Sequence, residues 1–305
     1  MTRRSNPEQE RLAGLPATNI LVIAPAGCGK TEALAQRAHA LIARGEVKAP
    51  TKILAVTFSN KARDNLAARM RTWIGPLWHR RVEVVNLHKL AARIVRAHGR
   101  VLGIPTDFTV REDRWYRESL KQLGVGFQDI EGLEKALRHA KAGSVDDADV
   151  MRRLEGSNHR QAIALEKRLR EAGLVDYDDL LRNAARLLSE TAVARLYRAH
   201  FSVTLADEVQ DLSLTQFAIV QAVGGSAVTY AGDIAQGIYG FAGAAATEVF
   251  NLIKSLDPEI VEFKLSYRSA PAVLDAVNVI ANQMGVTALK CADPEKWGDG
   301  GRVEY

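Results

Sequence analysis

The residues with the clearest chemical potential form the run Ala24-Pro-Ala-Gly-Cys-Gly-Lys-Thr31. Gly27 and Gly29 would let backbone amides turn inward around a phosphate. Lys30 would then reach the outer phosphates of a nucleotide, and Thr31 would ligate magnesium. The strict pattern starts with glycine where this run has alanine, but a small residue there still permits the turn. The run predicts a phosphate-binding loop, and the competing interpretation is an accidental glycine-rich loop.

A strand and a helix must flank such a loop to position it. The apolar run Ile20-Leu-Val-Ile23 precedes the loop and is typical of a buried strand, while residues 33–42 follow it with helical spacing. The start of a helix adds the positive end of its dipole to the phosphate site. This context favours a nucleotide site over the accidental loop.

An acid pair follows a second apolar strand. Residues 201–206 predict a buried strand that delivers Asp207 and Glu208 to its carboxyl end. The pair suits a magnesium-bound Asp207, followed by a carboxylate of Glu208 that positions or deprotonates water. The competing interpretation is an acidic helix cap, which a phosphate loop earlier in the chain makes less attractive.

Strands and helices alternate around these residues. The predicted strands cover residues 20–23, 53–58, 82–86, 201–206, 227–231 and 261–265. This alternation predicts an α/β fold with a parallel sheet, whose ligand edge lies at the carboxyl ends of the strands. Residues 107–170 lose the strand signal and carry thirteen basic against twelve acidic residues, which predicts a small helical insert with solvated faces.

Composition and charge exclude several classes of protein. Cys28 and Cys291 are the only cysteines, too few for a disulfide framework or a metal cluster. The N-terminus lacks the apolar core of a signal peptide and no apolar run could span a bilayer, so we expect a cytoplasmic protein with no membrane contact.

The chain carries a net charge of +5, and its basic residues are concentrated in one region. Residues 61–100 hold ten Lys or Arg against two acidic residues. Such a patch favours a polyanion surface over a merely solvated helix face.

Taken in chain order, these motifs resemble those of superfamily 1 DNA helicases of the UvrD, Rep and PcrA type. The matching segments are Asn6-Pro-Glu-Gln9 (the Gln motif), Ala24–Thr31 (motif I), Thr57-Phe-Ser-Asn-Lys-Ala62 (motif Ia), Asn86-Leu-His88, Asp176-Tyr-Asp-Asp179, Asp207-Glu-Val-Gln-Asp211 (motif II), residues 232–244 (motif III) and Tyr267-Arg-Ser269 (motif IV). The resemblance covers nearly the whole chain. Motifs V and VI are absent, as expected of the amino-terminal half of such an enzyme.

The resemblance implies a RecA-like P-loop NTPase fold with an inserted helical subdomain. Where the strand signals stop and resume, we place the ATP-binding domain at residues 1–106 and 171–284 and the insert at 107–170. Residues 285–305 would begin a second RecA-like domain, supplied in cis or by a partner subunit.

The resemblance also implies roles for individual residues. Residues expected to bind ATP are Gln9, Ala26, Gly27, Cys28, Gly29, Lys30, Thr31 and Tyr267, with Mg²⁺ at Thr31 and Asp207. Glu208 would act on the attacking water, Gln236 would sense the terminal phosphate and Arg268 would stabilise charge on the transferred phosphate. Residues expected to contact single-stranded DNA, or a junction of single and double strands, are Thr57, Phe58, Asn60, His88, Tyr239 and Phe241.

Glu32 and two residues of motif III, Phe241 and Ala242, depart from the family pattern. Glu32 stands where the family often has an arginine that stacks on adenine, and Phe241-Ala-Gly243 replaces Trp-Arg-Gly.

The leading hypothesis is the ATP-binding half of an ATP-dependent DNA helicase or translocase, nearly inactive as an isolated chain. One alternative is a non-unwinding regulatory ATPase subunit of a nuclease or defence complex. Another is a P-loop enzyme that acts on a small molecule.

Overall fold

The computed structural model of the chain describes residues 6–157, 159–237, 244–283, 288–298 and 301. Its helices are α1 (Pro7–Gly14), α2 (Lys30–Ala43), α3 (Asn60–Ile74), α4 (Leu87–His98), α5 (Asp113–Gln122), α6 (Ile130–Lys141), α7 (Asp147–Gly156), α8 (Arg160–Glu171), α9 (Tyr177–Ser189), α10 (Thr191–His200), α11 (Leu214–Gly224), α12 (Ala246–Lys254) and α13 (Pro271–Gln283). Its strands are β1 (Ile20–Ile23), β2 (Lys52–Thr57), β3 (Val82–Asn86), β4 (Thr109–Val110), β5 (Leu174–Val175), β6 (Phe201–Asp207), β7 (Val228–Gly232), β8 (Glu259–Glu262), β9 (Leu265–Ser266) and β10 (Lys290–Cys291).

Six strands form one sheet in the order β3-β2-β6-β7-β1-β8. β1 runs parallel to both β7 and β8, and β6 runs parallel to both β2 and β7. The register places Ile23 beside Gly232 and Asp207 beside Ala231, so β1, β7 and β6 end at the same edge. The predicted α/β fold with a parallel sheet is confirmed.

The chain divides into two compact units. The sheet unit comprises residues 1–85, 198–213 and 224–305, and the helical unit comprises residues 86–197 and 214–223. The helical unit therefore extends beyond the insert expected at 107–170, because α4, α9 and most of α10 also belong to it. The assignment of functional domains stays a prediction.

Apolar strands and capped helices build the sheet unit. Leu21 and Val22 point to opposite faces of β1 and both are fully buried, as expected for a strand covered on both sides. Asn6 begins α1, because its side chain accepts hydrogen bonds from the amides of Glu8 (2.9 Å) and Gln9 (3.3 Å). At residues 6–9 the sequence predicted the Gln motif but no helix, because an eight-residue helix offers little periodicity.

Arg37 of α2 fixes α1 relative to the sheet. Its fully buried guanidinium donates to Thr229 Oγ1 at 2.8 Å and to the carbonyls of Leu12, Leu15 and Pro16 at 2.8 to 2.9 Å. Burial lowers the pKa of Arg37 to about 10, so the group stays charged at neutral pH. Four hydrogen bonds satisfy a charge that would otherwise be costly to bury, and they hold the helix that carries Gln9.

The helical unit has its own apolar core. Leu133, Leu137, Val150 and Leu154 are among the buried residues that pack there. Beside this core the fully buried Lys141 ammonium lies 2.7 to 2.9 Å from carboxylate oxygens of Glu166, Asp176 and Asp179. Asp176 and Asp179 also form a reciprocal capping box that begins α9.

Short or bent strands account for the remaining differences from expectation. The strand expected at 261–265 is divided into β8 and β9, with Phe263 and Lys264 between them. β4 lies within residues 107–170 but pairs with β5 and not with the six-stranded sheet. Two residues are too few for a periodic signal.

In the described part of the chain, no helix combines the length and apolarity needed to cross a membrane.

Candidate nucleotide and DNA site

The phosphate-binding loop lies between β1 and α2 and depends on two glycines. Gly27 (φ 84°) and Gly29 (φ 79°) both adopt left-handed conformations that favour glycine. A Cβ on Gly27 would lie 2.6 Å from Cβ of Arg268, and one on Gly29 would lie 2.6 Å from Nε2 of Gln9. The left-handed conformation and the close approach therefore both require glycine at these two positions. Gln9 and Arg268 lie directly against the loop.

A cleft of about 670 Å³ opens over this loop. Predicted residues on its wall are Ala26, Gly27, Gly29, Lys30, Thr31, Glu208, Gln236, Tyr267 and Arg268. Gln9 donates from Nε2 to the Gly29 carbonyl at 3.3 Å, and Tyr267 N–H donates to the Gly27 carbonyl at 2.9 Å. The structure thus brings together residues that are more than 250 positions apart in the sequence.

Cys28 takes a different position from its neighbours. Its side chain is fully buried in the core of the sheet unit, and burial raises the pKa of its thiol to about 12. A nucleotide contact at Cys28 would therefore use the backbone amide and not the thiol.

Lys30 connects the loop to the acid pair at the end of β6. Its Nζ forms an ion pair with Glu208 Oε2 and lies 3.8 Å from Asp207 Oδ1. Desolvation by burial, with the negative charge of Glu208 adding to it, raises the pKa of Asp207 to about 6. Glu208 has a left-handed backbone (φ 56°), uncommon for a residue with a side chain and frequent at functional sites.

A chain of hydrogen bonds continues from Glu208 to Gln236. Gln210 Nε2 donates to Glu208 Oε2 at 2.7 Å, and Gln210 Oε1 accepts from the buried amide of Asp233 at 3.1 Å. Gln236 Nε2 then donates to Asp233 Oδ2 at 2.6 Å. A Cβ on Gly232 would lie 2.6 Å from Gln210 Oε1, so this glycine makes room for the connection.

The residues around the acid pair fit Mg²⁺ held jointly with phosphates. No group of three His, Cys, Asp or Glu within the described residues is arranged to hold a metal by itself. Mg²⁺ on a nucleotide needs only one or two carboxylates, because phosphates and water supply its other ligands. Asp207 is such a carboxylate, and the buried Oδ1 of Asp211 has no hydrogen-bond partner among the described residues. Burial and, to a smaller extent, the negative charge of Glu208 raise the pKa of Asp211 to about 6. The negative charge of these carboxylates is therefore poorly compensated.

The residues expected to contact DNA lie in both units. Thr57 is buried and donates from Oγ1 to the Ser59 carbonyl at 3.2 Å, whereas Phe58 is half-buried and Asn60 is exposed at the start of α3. His88, in the helical unit, packs edge-on against the exposed ring of Tyr177, with 5.0 Å between centroids. Burial lowers the pKa of His88, while the charge of Asp178 opposes that shift. Tyr239 and Phe241 lie outside the described residues.

Comparison with known proteins decides the family. Residues 5–257 match the UvrD/REP helicase N-terminal domain. The chain belongs to the UvrD/REP helicase family. It is 30% identical to DNA helicase II of Salmonella typhimurium over 97% of the chain and 42% of that protein. It is 27% identical to the ATP-dependent DNA helicase PcrA of Leuconostoc citreum over 100% of the chain and 42% of that protein. The chain thus spans about two-fifths of the length of these relatives.

Within this UvrD/REP helicase domain, the structure adds residues that had no role assigned from their sequence pattern. Gln210 and Asp233 form the connection between Glu208 and Gln236. Both are polar residues inside recognised motifs, so their positions were visible but their pairing was not. Asn65, Arg69 and Lys296 also line the nucleotide cleft and belong to no motif used above.

Proposed function

We propose that the chain is the ATP-binding half of an ATP-dependent DNA helicase or translocase, which couples ATP hydrolysis to movement on single-stranded DNA. The observation that carries the proposal is the contact between Lys30, which ends a phosphate-binding loop, and Glu208, which follows β6. The chain that makes this contact belongs to the UvrD/REP helicase family. The names of its relatives, which include ATP-dependent DNA helicases, support the same substrates for this chain.

Residues of the loop hold the nucleotide in this proposal. Amides of residues 26–29 and the ammonium of Lys30 bind the phosphates, while Gln9 and Tyr267 lie against Gly29, where the base end of the nucleotide would reach. Thr31 and Asp207 would hold Mg²⁺. When bound, the ion neutralises phosphate charge.

Glu208 orients the attacking water and accepts its proton. Gln236 lies on the cleft wall and is connected to Glu208 through Asp233 and Gln210, so a contact with the terminal phosphate could be transmitted along these residues. Arg268 stabilises charge that develops on the transferred phosphoryl group.

DNA binds through stacking and backbone charge. Phe58 offers a ring to bases, and the basic residues at 61–100 attract the phosphates, together with Thr57, Asn60 and His88. Tyr239 and Phe241 complete the proposed stacking residues. This mode of contact tolerates any base sequence, as a motor that steps along a strand requires.

Steady-state ATP hydrolysis with and without oligothymidylate tests the proposal. We expect slow hydrolysis by the 305-residue chain, because an arginine supplied by a second RecA-like domain contributes about 10³ to 10⁵ in rate. Joining that domain from a UvrD/REP helicase should raise the rate by orders of magnitude and make it DNA-dependent. DNA-stimulated hydrolysis without strand separation would instead support a regulatory ATPase subunit. Hydrolysis unaffected by DNA would favour a P-loop enzyme that acts on a small molecule.

A further inference from the structure

Glu32, which directly follows the phosphate loop, is held by two residues of α3. Its Oε1 accepts a hydrogen bond from Trp73 Nε1 at 2.8 Å, and its Oε2 lies 3.3 Å from Nη1 of Arg69. The Glu32 side chain is 19% exposed, so the carboxylate is largely shielded from solvent by its neighbours. Two contacts from one helix give Glu32 a defined orientation.

Arg69 belongs to the wall of the nucleotide cleft. It lines that cleft together with Lys30, Thr31 and Tyr267. Its own helix, α3, begins 30 residues after the start of α2 and forms no part of the phosphate loop. The Arg69 side chain is 52% exposed, so much of the guanidinium stays accessible to a ligand while its ion pair with Glu32 restrains it. A restrained planar cation on a cleft wall is well suited to ligand contact, because little side-chain freedom remains to be lost.

We propose that Arg69 is a nucleotide-binding residue that contacts the nucleoside, and that Glu32 and Trp73 position its guanidinium. The inference rests on the nucleotide-binding function proposed above. It gives Glu32 a role that its charge alone does not suggest, since an acidic residue beside a phosphate site would be expected to weaken binding.

The ion pair itself favours the nucleoside over the triphosphate as the group that Arg69 contacts. A phosphate seated on Arg69 would lie close to the Glu32 carboxylate, 3.3 Å from the same guanidinium, and would be repelled by it. A neutral base meets no such repulsion, and a guanidinium packs well on an aromatic face. Tyr267, 41% exposed on the same cleft wall, offers a second ring to the base.

Binding of ATP and of inorganic tripolyphosphate, each with Mg²⁺, separates these contacts. Arg69→Ala in the 305-residue chain should weaken ATP binding by about threefold to thirtyfold and leave tripolyphosphate binding unchanged. Arg69→Lys should not restore ATP binding, because an ammonium lacks the planar face. Arg152→Ala is the matched control, since Arg152 is also an exposed helical arginine paired with a carboxylate, that of Asp149, and it should change neither affinity.

Two further variants test the positioning role of Glu32. Glu32→Gln should lower ATP affinity without lowering tripolyphosphate affinity, a selective loss that a purely structural defect would not produce. Exchanging the pair, with Glu32→Arg and Arg69→Glu in one chain, should recover ATP affinity because the cation and its partner are both retained in the cleft.

Three results would overturn the inference. Unchanged ATP affinity in Arg69→Ala would remove Arg69 from the site. Equal losses for ATP and tripolyphosphate would mean that Arg69 binds phosphate or supports the fold, and the thermal unfolding temperature would distinguish those two. A wild-type chain that binds neither ligand would overturn the nucleotide-binding function and this inference with it, whereas selective retention of ATP binding in the variant overturns the inference alone.

Discussion

Lys30 Nζ and Glu208 Oε2 form an ion pair on the wall of the nucleotide cleft. The two residues lie 178 positions apart in the sequence. The same Nζ lies 3.8 Å from Asp207 Oδ1. One ammonium therefore faces both acids at the end of β6 and the loop that would hold phosphates. A change to Lys30, Glu208 or the residues that hold them should affect nucleotide binding and hydrolysis differently, according to which contact is lost.

Gln210 is predicted to matter for turnover more than for nucleotide affinity. Gln210→Ala removes the donor to Glu208 Oε2 and leaves the buried Asp233 amide without Gln210 Oε1, at a cost of about 1 to 3 kcal/mol in unfolding free energy. We expect kcat for ATP hydrolysis to fall while KM changes little, because Gln210 is not on the cleft wall. Steady-state kinetics with thermal unfolding checks both effects. An unchanged kcat in the folded variant would contradict the proposed connection between Glu208 and Gln236.

Sequence alone identified the parts of the site that local pattern determines. A phosphate loop needs glycines at fixed positions between a strand and a helix, so Gly27, Gly29 and Lys30 were recognisable without knowledge of the fold. The parallel sheet followed from alternating strands and helices, and its edge placed Asp207 near the loop.

Contacts between distant residues could not be predicted in the same way. The interaction of Glu32 with Arg69 and Trp73 depends on how α2 and α3 pack, and several charged partners for Glu32 would suit the sequence equally well. The two-residue strands β4 and β5 carry no usable period, so their pairing appears only in the fold.

Stacking and charge should contribute to DNA affinity in different ways. Phe58→Ala should weaken binding of single-stranded DNA by about 1 to 3 kcal/mol and leave the salt dependence unchanged. Lys61→Ala, at an exposed position in the first turn of α3, should reduce the slope of log affinity against log salt by about 0.7. Fluorescence titrations at several salt concentrations measure both quantities. Binding by the wild type that does not vary with salt would contradict the role of the basic residues at 61–100.

His88 should make stability depend on pH in the acidic range. Burial lowers its pKa in the folded chain below the ordinary value of 6.5, so the unfolded chain takes up the proton first as pH falls. The stability that neutral His88 contributes is thus fully present above pH 6.5, and it is lost as pH falls through the lower pKa of His88 in the folded chain. His88→Phe should flatten the decline of the unfolding temperature between about pH 7 and 5. The same change at the exposed His79 is the control, and identical profiles for wild type and His88→Phe would refute the argument.

Lys141 is predicted to be essential for the stability of the helical unit. Three carboxylates surround its fully buried ammonium, and although burial alone would lower its pKa, their charges raise it. Lys141→Met removes the cation from Asp176 and one of the two cations that Glu166 and Asp179 each contact, and it should cost about 3 to 5 kcal/mol in unfolding free energy. Lys135→Met on the exposed side of the same helix should stay within about 0.5 kcal/mol of wild type. Urea unfolding compares them, and equal stabilities would show that the cluster is not needed.

Titration of ATP with Mg²⁺ against wild type, Lys30→Ala and Glu208→Gln tests the central claim most directly, that Lys30 holds the phosphates and Glu208 acts on water. Lys30→Ala removes a charge-assisted contact to the nucleotide and should weaken binding by at least about tenfold. Glu208→Gln should bind ATP about as tightly as wild type, and in the same samples it should fail to hydrolyse the nucleotide. Lys254→Ala, at an exposed position in the last turn of α12, is the control and should bind normally. Wild-type affinity in Lys30→Ala, or wild-type turnover in Glu208→Gln, would contradict the assignment of these two residues.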